Sequence, residues 1–557
     1  MVSSIGDQFL LANTRLAIQD PTPAGNQPFA DPSGRYHLVF NGEVYNFRAL
    51  AARHRLSLRS GTDTEVLVQL WARFGPGALA QLRGMFAVAV ADTATGELFL
   101  ARDPFGIKPL HWRRLDGAVV FASEIRPLAG LAPWTLDRAA ISDFLAWGSV
   151  GVERTPFREV FAVPPGTCLR FAPGEDPVGV RVGEPVPGAR ASTPRSSPGR
   201  LAAAFRETVA LHLVTDVPAV LLLSAGLDSS LIAQVAAEQG QVLQCVTVGG
   251  ELGGSEAEIA ARTAAHFGHR HLVVPAAIEA EMVDRFLTSM QRPSIDGLNT
   301  FVVSKAVHDA GFKVALSGLG GDEALGGYAY ARLAPLLPLL RALRRAPGPL
   351  RAGAARVLRA APVDAAKRER LLDGPPAGIG DVVSLQRELF PPDVVRRLVG
   401  ASADGPALEG HGPPAAQLAR AELVRYLQPT LLPDADANSM AWSVELRVPY
   451  VDPWFFSVAT ARRRLRAKPS LVRAMGDPYL RRLARRPKTG FSVPMARWLD
   501  TGPLAHLRHA AADPRAPLWE VLDPEVGLAI LRGPVRRRWS EQWALTVLDG
   551  WLRSLRR

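Results

Sequence analysis

The stretch Ser224-Ala-Gly-Leu-Asp-Ser-Ser230 brings three hydroxyls, a glycine and a carboxylate into seven residues. It follows an all-apolar run, Ala219 to Leu223, and precedes a helical pattern, Ser229 to Glu238. In a parallel sheet such a loop sits at the carboxyl end of a strand, where ligands bind. Gly226 lets the backbone approach a ligand closely. Ser224, Ser229 and Ser230 offer hydroxyls, and the following helix aims free N–H groups and the positive end of its dipole at the same point. The chemistry is that of an anion cradle. Asp228 inside it requires a cation, since a carboxylate beside phosphate oxygens needs Mg2+ between them.

No G-x-x-x-x-G-K-[ST] pattern occurs in the chain, so this is not a Walker loop. It resembles S-G-G-x-D-S, the pyrophosphate loop of enzymes that split ATP between its α and β phosphates. Ala225 stands where that pattern has glycine, a small steric cost. A second strand, turn and acid pair follows in Lys313-Val-Ala-Leu-Ser-Gly-Leu-Gly-Gly-Asp-Glu323. Asp322 would offer the metal a second carboxylate, and the backbone at Ser317 and Gly318 would run along the adenosine or α-phosphate.

The elements around these loops alternate. From about residue 200 the pattern runs helix Leu201 to His212, strand Ala219 to Leu223, helix Ser229 to Glu238, strand Val242 to Val248, helix Ser255 to Phe267 and strand His271 to Val274. Helix Thr300 to Asp309 and strand Lys313 to Leu316 follow. Apolar strands alternating with helices imply a parallel sheet covered on both faces. Residues 330–557 read as mostly helical. Residues 1–170 carry short apolar strands at Tyr36 to Phe40, Met85 to Val90, Leu98 to Ala101 and Val119 to Ala122, with a helix at Thr64 to Phe74, which suggests a layered α+β domain. Residues 171–200 are rich in Pro, Gly and Ser and read as a linker, leaving 201–557 as the nucleotide domain.

Composition excludes several classes. At 47% apolar and 21% charged the chain can build sizeable cores and is not disordered or fibrous. Two cysteines, Cys168 and Cys245, exclude a disulfide scaffold and a four-cysteine zinc site, and they suit a reducing, cytoplasmic compartment. No run of about 18 uncharged apolar residues predicts a membrane span. The net charge of +12 invites a polyanionic partner, but arginine is used throughout and no RNA- or DNA-binding motif appears, so nucleic acid is not expected. His266, His269 and His271 read as a surface turn rather than a metal site, because no acid or cysteine joins them at ligand spacing.

Together with Asn438-Ser-Met-Ala-Trp-Ser-Val-Glu-Leu-Arg-Val-Pro-Tyr-Val-Asp452 and Arg486-Pro-Lys-Thr-Gly-Phe-Ser492, these loops resemble the synthetase half of glutamine-dependent asparagine synthetases. Arg15-Leu-Ala-Ile, Asn41-Gly-Glu-Val-Tyr-Asn46, Thr62-Asp-Thr-Glu65, Arg102-Asp-Pro-Phe-Gly-Ile-Lys-Pro109 and Phe121-Ala-Ser-Glu-Ile resemble the glutaminase half. The resemblance weakens in the linker and around residues 335–425. It implies an α/β protein. The first domain would be an Ntn-hydrolase-like α/β/β/α layer, truncated. The second would be a parallel-sheet ATP-pyrophosphatase domain, adenine nucleotide α-hydrolase-like, with a helical extension. It further implies ATP and Mg2+ as cofactors, a carboxylate such as aspartate activated as an acyl-AMP, and ammonia from glutamine or free ammonia as the nucleophile. Asp228, Asp322 and Lys488 would carry catalysis, the two aspartates as metal ligands and Lys488 on the pyrophosphate. Leu223, Ser224, Gly226, Asp228, Ser229, Ser230, Val248, Ser317 and Gly318 would bind ATP. Arg15, Asn41, Gly42, Glu43 and Asp63 would hold glutamine, and a homodimer is allowed.

Two departures temper these expectations. The family's glutaminase uses an N-terminal cysteine, whereas this chain starts Met1-Val2, and Arg15 comes early, as if roughly the first thirty residues of the family pattern were absent. The glutaminase half is therefore expected to be inactive. Leu319 stands where asparagine synthetases usually carry glutamate, and leucine moves no proton. The acceptor acid thus stays open. A lactam-forming, secondary-metabolite or surface-polymer amidotransferase is the alternative reading, and a degenerate nucleotide-binding partner is another.

Overall fold

A computed structural model describes residues 2–6, 8–184, 197–249, 256–275, 278–328, 330–331, 378–403, 412–462, 467–486 and 494–556, with a few single residues between 337 and 465. In the first domain, side chains alternate across the strands with period two. On strand Tyr36–Val44, Leu38 and Phe40 face one core and Val39 the other. On Gly84–Asp92, Phe86, Val88 and Val90 share the first face, while Ala87, Ala89 and Ala91 share the second. The helix Asp63–Phe74 covers the first face with Val66, Leu70 and Trp71. Three small alanines on the second face let another sheet come close, with Trp112 and Val163 filling the gap. The main sheet is antiparallel, in the order Val178–Arg181, Thr167–Phe171, Glu97–Arg102, Gly84–Asp92, Tyr36–Val44, Phe29–Ala30. The smaller sheet runs Ala118–Ala122, His111–Leu115, Phe161–Ala162, and the helix Ile125–Gly130 packs on it. The expected helix–sheet–sheet–helix layering is present.

Strand Val178–Arg181 falls inside the segment read as a linker. It is an edge strand with Val178 and Val180 exposed, so no buried face left an alternation to detect. Residues 185–196 lie outside the described residues.

The second domain is built on five parallel strands in the order Arg270–Pro275, Gln244–Gly249, Ala219–Leu222, Val314–Leu316, Glu445–Arg447. Both faces are buried. Val220, Val246 and Ala315 pack with Phe301, Trp543 and Trp551, while Leu221, Cys245 and Leu316 pack with Leu231, Ile232 and Val235. Past residue 414 the helix Pro414–Glu422 runs into a π-helical stretch, Leu423–Leu431, and then into Leu432–Met440. Pro429 lies in the wider turn, which tolerates a residue lacking an N–H. No helix among the described residues is long and apolar enough to cross a membrane.

Buried ion pairs join the two domains. Arg83 grips Asp452 with Nε (3.1 Å) and Nη2 (3.0 Å), and Lys108 Nζ donates to Asp436 Oδ1 at 2.8 Å. Such forked or desolvated pairs fix geometry more firmly than exposed ones.

Candidate active site

The helix after the first loop begins at Leu227, earlier than the expected Ser229, because Gly226 takes the extended N-cap conformation. Asp228 therefore lies in the first helical turn. Ser224 Oγ accepts from the Gly226 N–H (3.1 Å) and lies 3.1 Å from Ser229 Oγ, while Ser230 Oγ donates to the Gly226 carbonyl at 2.8 Å. The hydroxyls thus brace a tight bend whose open side is the helix N-terminus.

The second loop presses directly on the first. A Cβ on Gly318 would lie 2.9 Å from both Asp228 Cβ and the Ser229 nitrogen, and one on Gly321 would lie 2.7 Å from Asp228 Cγ. Only glycine permits that approach. Ser317 is held from behind, its N–H donating to the Arg447 carbonyl at 2.9 Å. Tyr450 donates to the Asp228 carbonyl at 3.0 Å.

Where the loops meet stands a residue the sequence reading missed. Lys468 Nζ donates to Asp228 Oδ2 at 2.7 Å and also to Asp322 Oδ1. Burial alone would drive its ammonium toward neutrality, but the two carboxylates more than offset that and hold it above the ordinary lysine range. One signal was available. The chain writes nearly every cation as arginine, and its six lysines stand out against that habit. Lys488 lies outside the described residues.

Asp228 and Asp322 offer hard, anionic oxygens, the donor type that suits a magnesium ion. Among the described residues no group of three or more His, Cys, Asp or Glu converges to hold a metal. An ion at this pair would complete its shell with phosphate oxygens and water, which fits a magnesium ion carried in with a nucleotide.

Glu323, next to Asp322, is buried and accepts from the Tyr328 hydroxyl. Burial, with the Asp322 charge adding to it, lifts its carboxyl to about 7. Leu319 packs against both cores of the nucleotide domain. Leu223 and Val248, expected in one adenosine pocket, are both buried but join different cores. They are linked through their neighbours, Leu223 N–H donating to the Val246 carbonyl at 2.9 Å.

In the first domain, Asn41 Nδ2 donates to Ser123 Oγ at 3.3 Å. Gly42 has φ +149°, and a Cβ there would meet the Met85 carbonyl at 2.0 Å, so the turn requires glycine. Asp63 accepts from the Val44 N–H at 2.8 Å and is lifted by burial to about 6. Arg15 donates to the carbonyls of Gln19 (2.6 Å), Asp20 (2.7 Å) and Thr22 (3.2 Å). Glu43 turns toward Arg447 of the other domain, 3.5 Å from it.

Both cysteines are buried on strands, and burial lifts each thiol to about 12. Of the three histidines read as a surface turn, His269 is buried instead. Its ring lies 2.8 Å from the Ala233 carbonyl and accepts from the Leu243 N–H at 3.4 Å, tying a helix to the next strand. Histidine spacing alone carries no sign of such a structural role.

Residues 200–553 match the asparagine synthase family model, and residues 3–178 match the glutamine amidotransferase domain model. A Mycobacterium tuberculosis protein provisionally named asparagine synthetase [glutamine-hydrolyzing] is 32% identical over 514 residues, covering 86% of this chain and 78% of its own. Asparagine synthetase [glutamine-hydrolyzing] 1 of Bacillus subtilis is 28% identical over 518 residues, 87% of this chain and 80% of its own. Asparagine synthetase [glutamine-hydrolyzing] 2 of Arabidopsis thaliana is 32% identical over 353 residues, 58% of this chain and 54% of its own.

Proposed function

The chain belongs to the asparagine synthase family, and on that premise we propose that its second domain activates a carboxylic acid with ATP as an acyl-AMP, which ammonia then converts to an amide. The observation that supports this reading most is Lys468 set between Asp228 and Asp322 at the junction of two glycine-lined loops. The acid's carboxylate oxygen attacks the α-phosphorus, the α–β P–O bond breaks and pyrophosphate leaves. Ammonia attacks the acyl carbon, the C–O bond to AMP breaks and the nitrogen loses a proton. Activation is needed because a carboxylate is a poor electrophile and AMP a good leaving group.

Ser224, Ser229, Ser230 and the N-terminus of the Leu227–Glu238 helix hold the phosphates. The Lys468 ammonium stabilises charge that builds on the phosphoryl oxygens as the α–β bond opens. Magnesium, when bound to Asp228 and Asp322, supplies neutralisation of the pyrophosphate charge. Lys488, in the Arg486-Pro-Lys-Thr-Gly-Phe-Ser492 motif, contacts pyrophosphate in this reading. Arg15, Asn41, Gly42, Glu43 and Asp63 form the glutamine pocket of the first domain. Two buried, unpaired cysteines suit a cytoplasmic setting.

Aspartate is the first acceptor to test. Leu319, packed among apolar side chains, favours a second reading in which another small acid is amidated. Acid-dependent exchange of pyrophosphate into ATP tests activation, and AMP release with ammonium chloride tests amidation. Nucleotide binding without exchange for any acid would overturn the proposal.

A further inference from the structure

The Asn41–Glu43 turn and the Ser317 loop belong to different domains, yet one residue reaches both. Arg447 is fully buried at the end of strand Glu445–Arg447. Its carbonyl accepts from the Ser317 N–H at 2.9 Å. Its Nε donates to Glu445 Oε1 (2.8 Å), and its Nη1 donates to the carbonyls of His212 (2.9 Å) and Val214 (2.6 Å). Its Nη2 lies 3.5 Å from Glu43 Oε1, too far for a sound hydrogen bond. The Tyr45 ring lies 5.3 Å from the guanidinium and 4.0 Å from the His212 ring.

The first domain reaches the same junction by a second route. Gln19 Nε2 donates to the Val214 carbonyl at 3.1 Å, and the Asp20 N–H donates to Asp216 Oδ2 at 2.9 Å. Arg15 holds the carbonyls of Gln19 and Asp20. The Arg15 end of the proposed glutamine pocket therefore reaches the Val214 carbonyl that Arg447 grips, and the Glu43 end lies against the Arg447 guanidinium itself.

This junction is under-satisfied. Glu43 Oε2, the Tyr45 hydroxyl and Arg447 Nη2 are buried with no hydrogen-bond partner among the described residues. A buried group left this way carries a desolvation cost that a new partner relieves. Burial and the nearby Glu445 charge favour the neutral Glu43 carboxyl, while Arg447 favours the charged one. A cationic ligand group arriving at Glu43 would favour the carboxylate and compete with Arg447 for it.

We propose that Arg447 is a positioning residue that couples occupancy of the Asn41–Glu43 turn to the placement of Ser317 in the nucleotide loop. The inference rests on reading those two places as the glutamine pocket and the ATP site. Such coupling is reciprocal: each ligand changes the other's affinity by one common factor.

Calorimetry on the full chain tests it, titrating L-glutamine with and without a non-hydrolysable ATP analogue and magnesium. The wild type is expected to show glutamine dissociation constants differing by roughly fivefold or more between the two conditions. The reverse titration should return the same ratio. Arg447→Lys, which cannot span Glu43 and the His212 carbonyl together, should bring the ratio to one. Glu445→Gln frees Arg447 for Glu43 and should widen it. Should Arg447→Lys fail to fold, Glu445→Gln decides, and an unchanged ratio in it overturns the coupling. A wild-type ratio of one also overturns the coupling and leaves the proposed function standing. Failure of the wild type to bind nucleotide overturns the proposed function itself, and this coupling with it.

Discussion

The Lys468 ammonium sits 2.7 Å from Asp228 Oδ2 although the two residues are 240 positions apart in the chain. Asp322 closes on the same nitrogen from a third segment. Replacing Lys468 by methionine would remove the ammonium that bridges the two carboxylates. Breaking one side of a desolvated pair costs about 3–5 kcal/mol, and losing a charge that stabilises the transition state costs about a hundredfold or more in rate. Lys468→Met should abolish pyrophosphate exchange and lower the melting temperature. Exchange within tenfold of wild type would remove Lys468 from the mechanism.

The contact between the two loops depends on a missing methyl. Gly318→Ala would place a Cβ 2.9 Å from the Ser229 nitrogen, and relieving that overlap costs about 1–3 kcal/mol. The loops must part, so the ATP KM in the exchange assay should rise by roughly tenfold. An unchanged KM would show that the Ser229 N–H does not face the phosphates.

Glu323 predicts a pH dependence of stability. Its carboxyl is lifted from an ordinary value near 4.5 to about 7, by burial first and by Asp322 second. The folded state therefore holds this proton more tightly than the unfolded chain does. The stabilisation is complete below the ordinary value and is lost as pH rises through about 7. Asp434, lifted to about 7 by burial and then by Asp296, acts in the same direction. The apparent melting temperature should fall between pH 5.5 and pH 8, about where these groups ionise. Glu323→Gln should flatten part of that fall in a calorimetric pH series, and an equally steep profile in the variant would refute the assignment.

Arg83 predicts how firmly the domains are joined. Its guanidinium grips Asp452, which is 1% exposed, and also donates to Thr208 Oγ1 at 2.9 Å. Arg83→Met would leave the buried Asp452 carboxylate without its cation, with only the Phe455 N–H and the Thr208 hydroxyl as donors among the described residues, at a cost of about 3–5 kcal/mol. Limited proteolysis of the variant should release the two domains faster than it does from the wild type. Identical digestion patterns would show that the remaining contacts, Lys108 with Asp436 among them, hold the domains without Arg83.

Much of this was legible in the sequence, for local reasons. The Ser224–Ser230 and Ser317–Glu323 segments each pair a buried strand with a glycine-rich turn, so type and spacing point to the proposed anion site. Short apolar strands such as Met85 to Val90, separated by turn residues and interrupted by a helix, pointed to the layered first domain. Lys468 was hidden because its partners lie far off in sequence, and no short-range spacing links Ala467-Lys-Pro to an aspartate in a distant loop. Arg447 was visible only as part of a motif, since the groups that fix its side chain, the His212 and Val214 carbonyls and Glu43, lie more than 200 residues away in sequence. The direction of Glu43 likewise follows from tertiary packing rather than from the Asn-Gly-Glu turn itself.

The edge strand Glu445–Arg447 is the last piece of the parallel sheet to be synthesised, and its final carbonyl pins Ser317. During translation the amino-terminal layers can assemble while the ribosome is still at work. The proposed phosphate cradle cannot, because the nascent chain must first deliver residue 447. Newly made protein should therefore gain its sheet sandwich early and its nucleotide grip only after residue 447 has emerged. Chains stalled before that point would be folded in front and empty-handed behind.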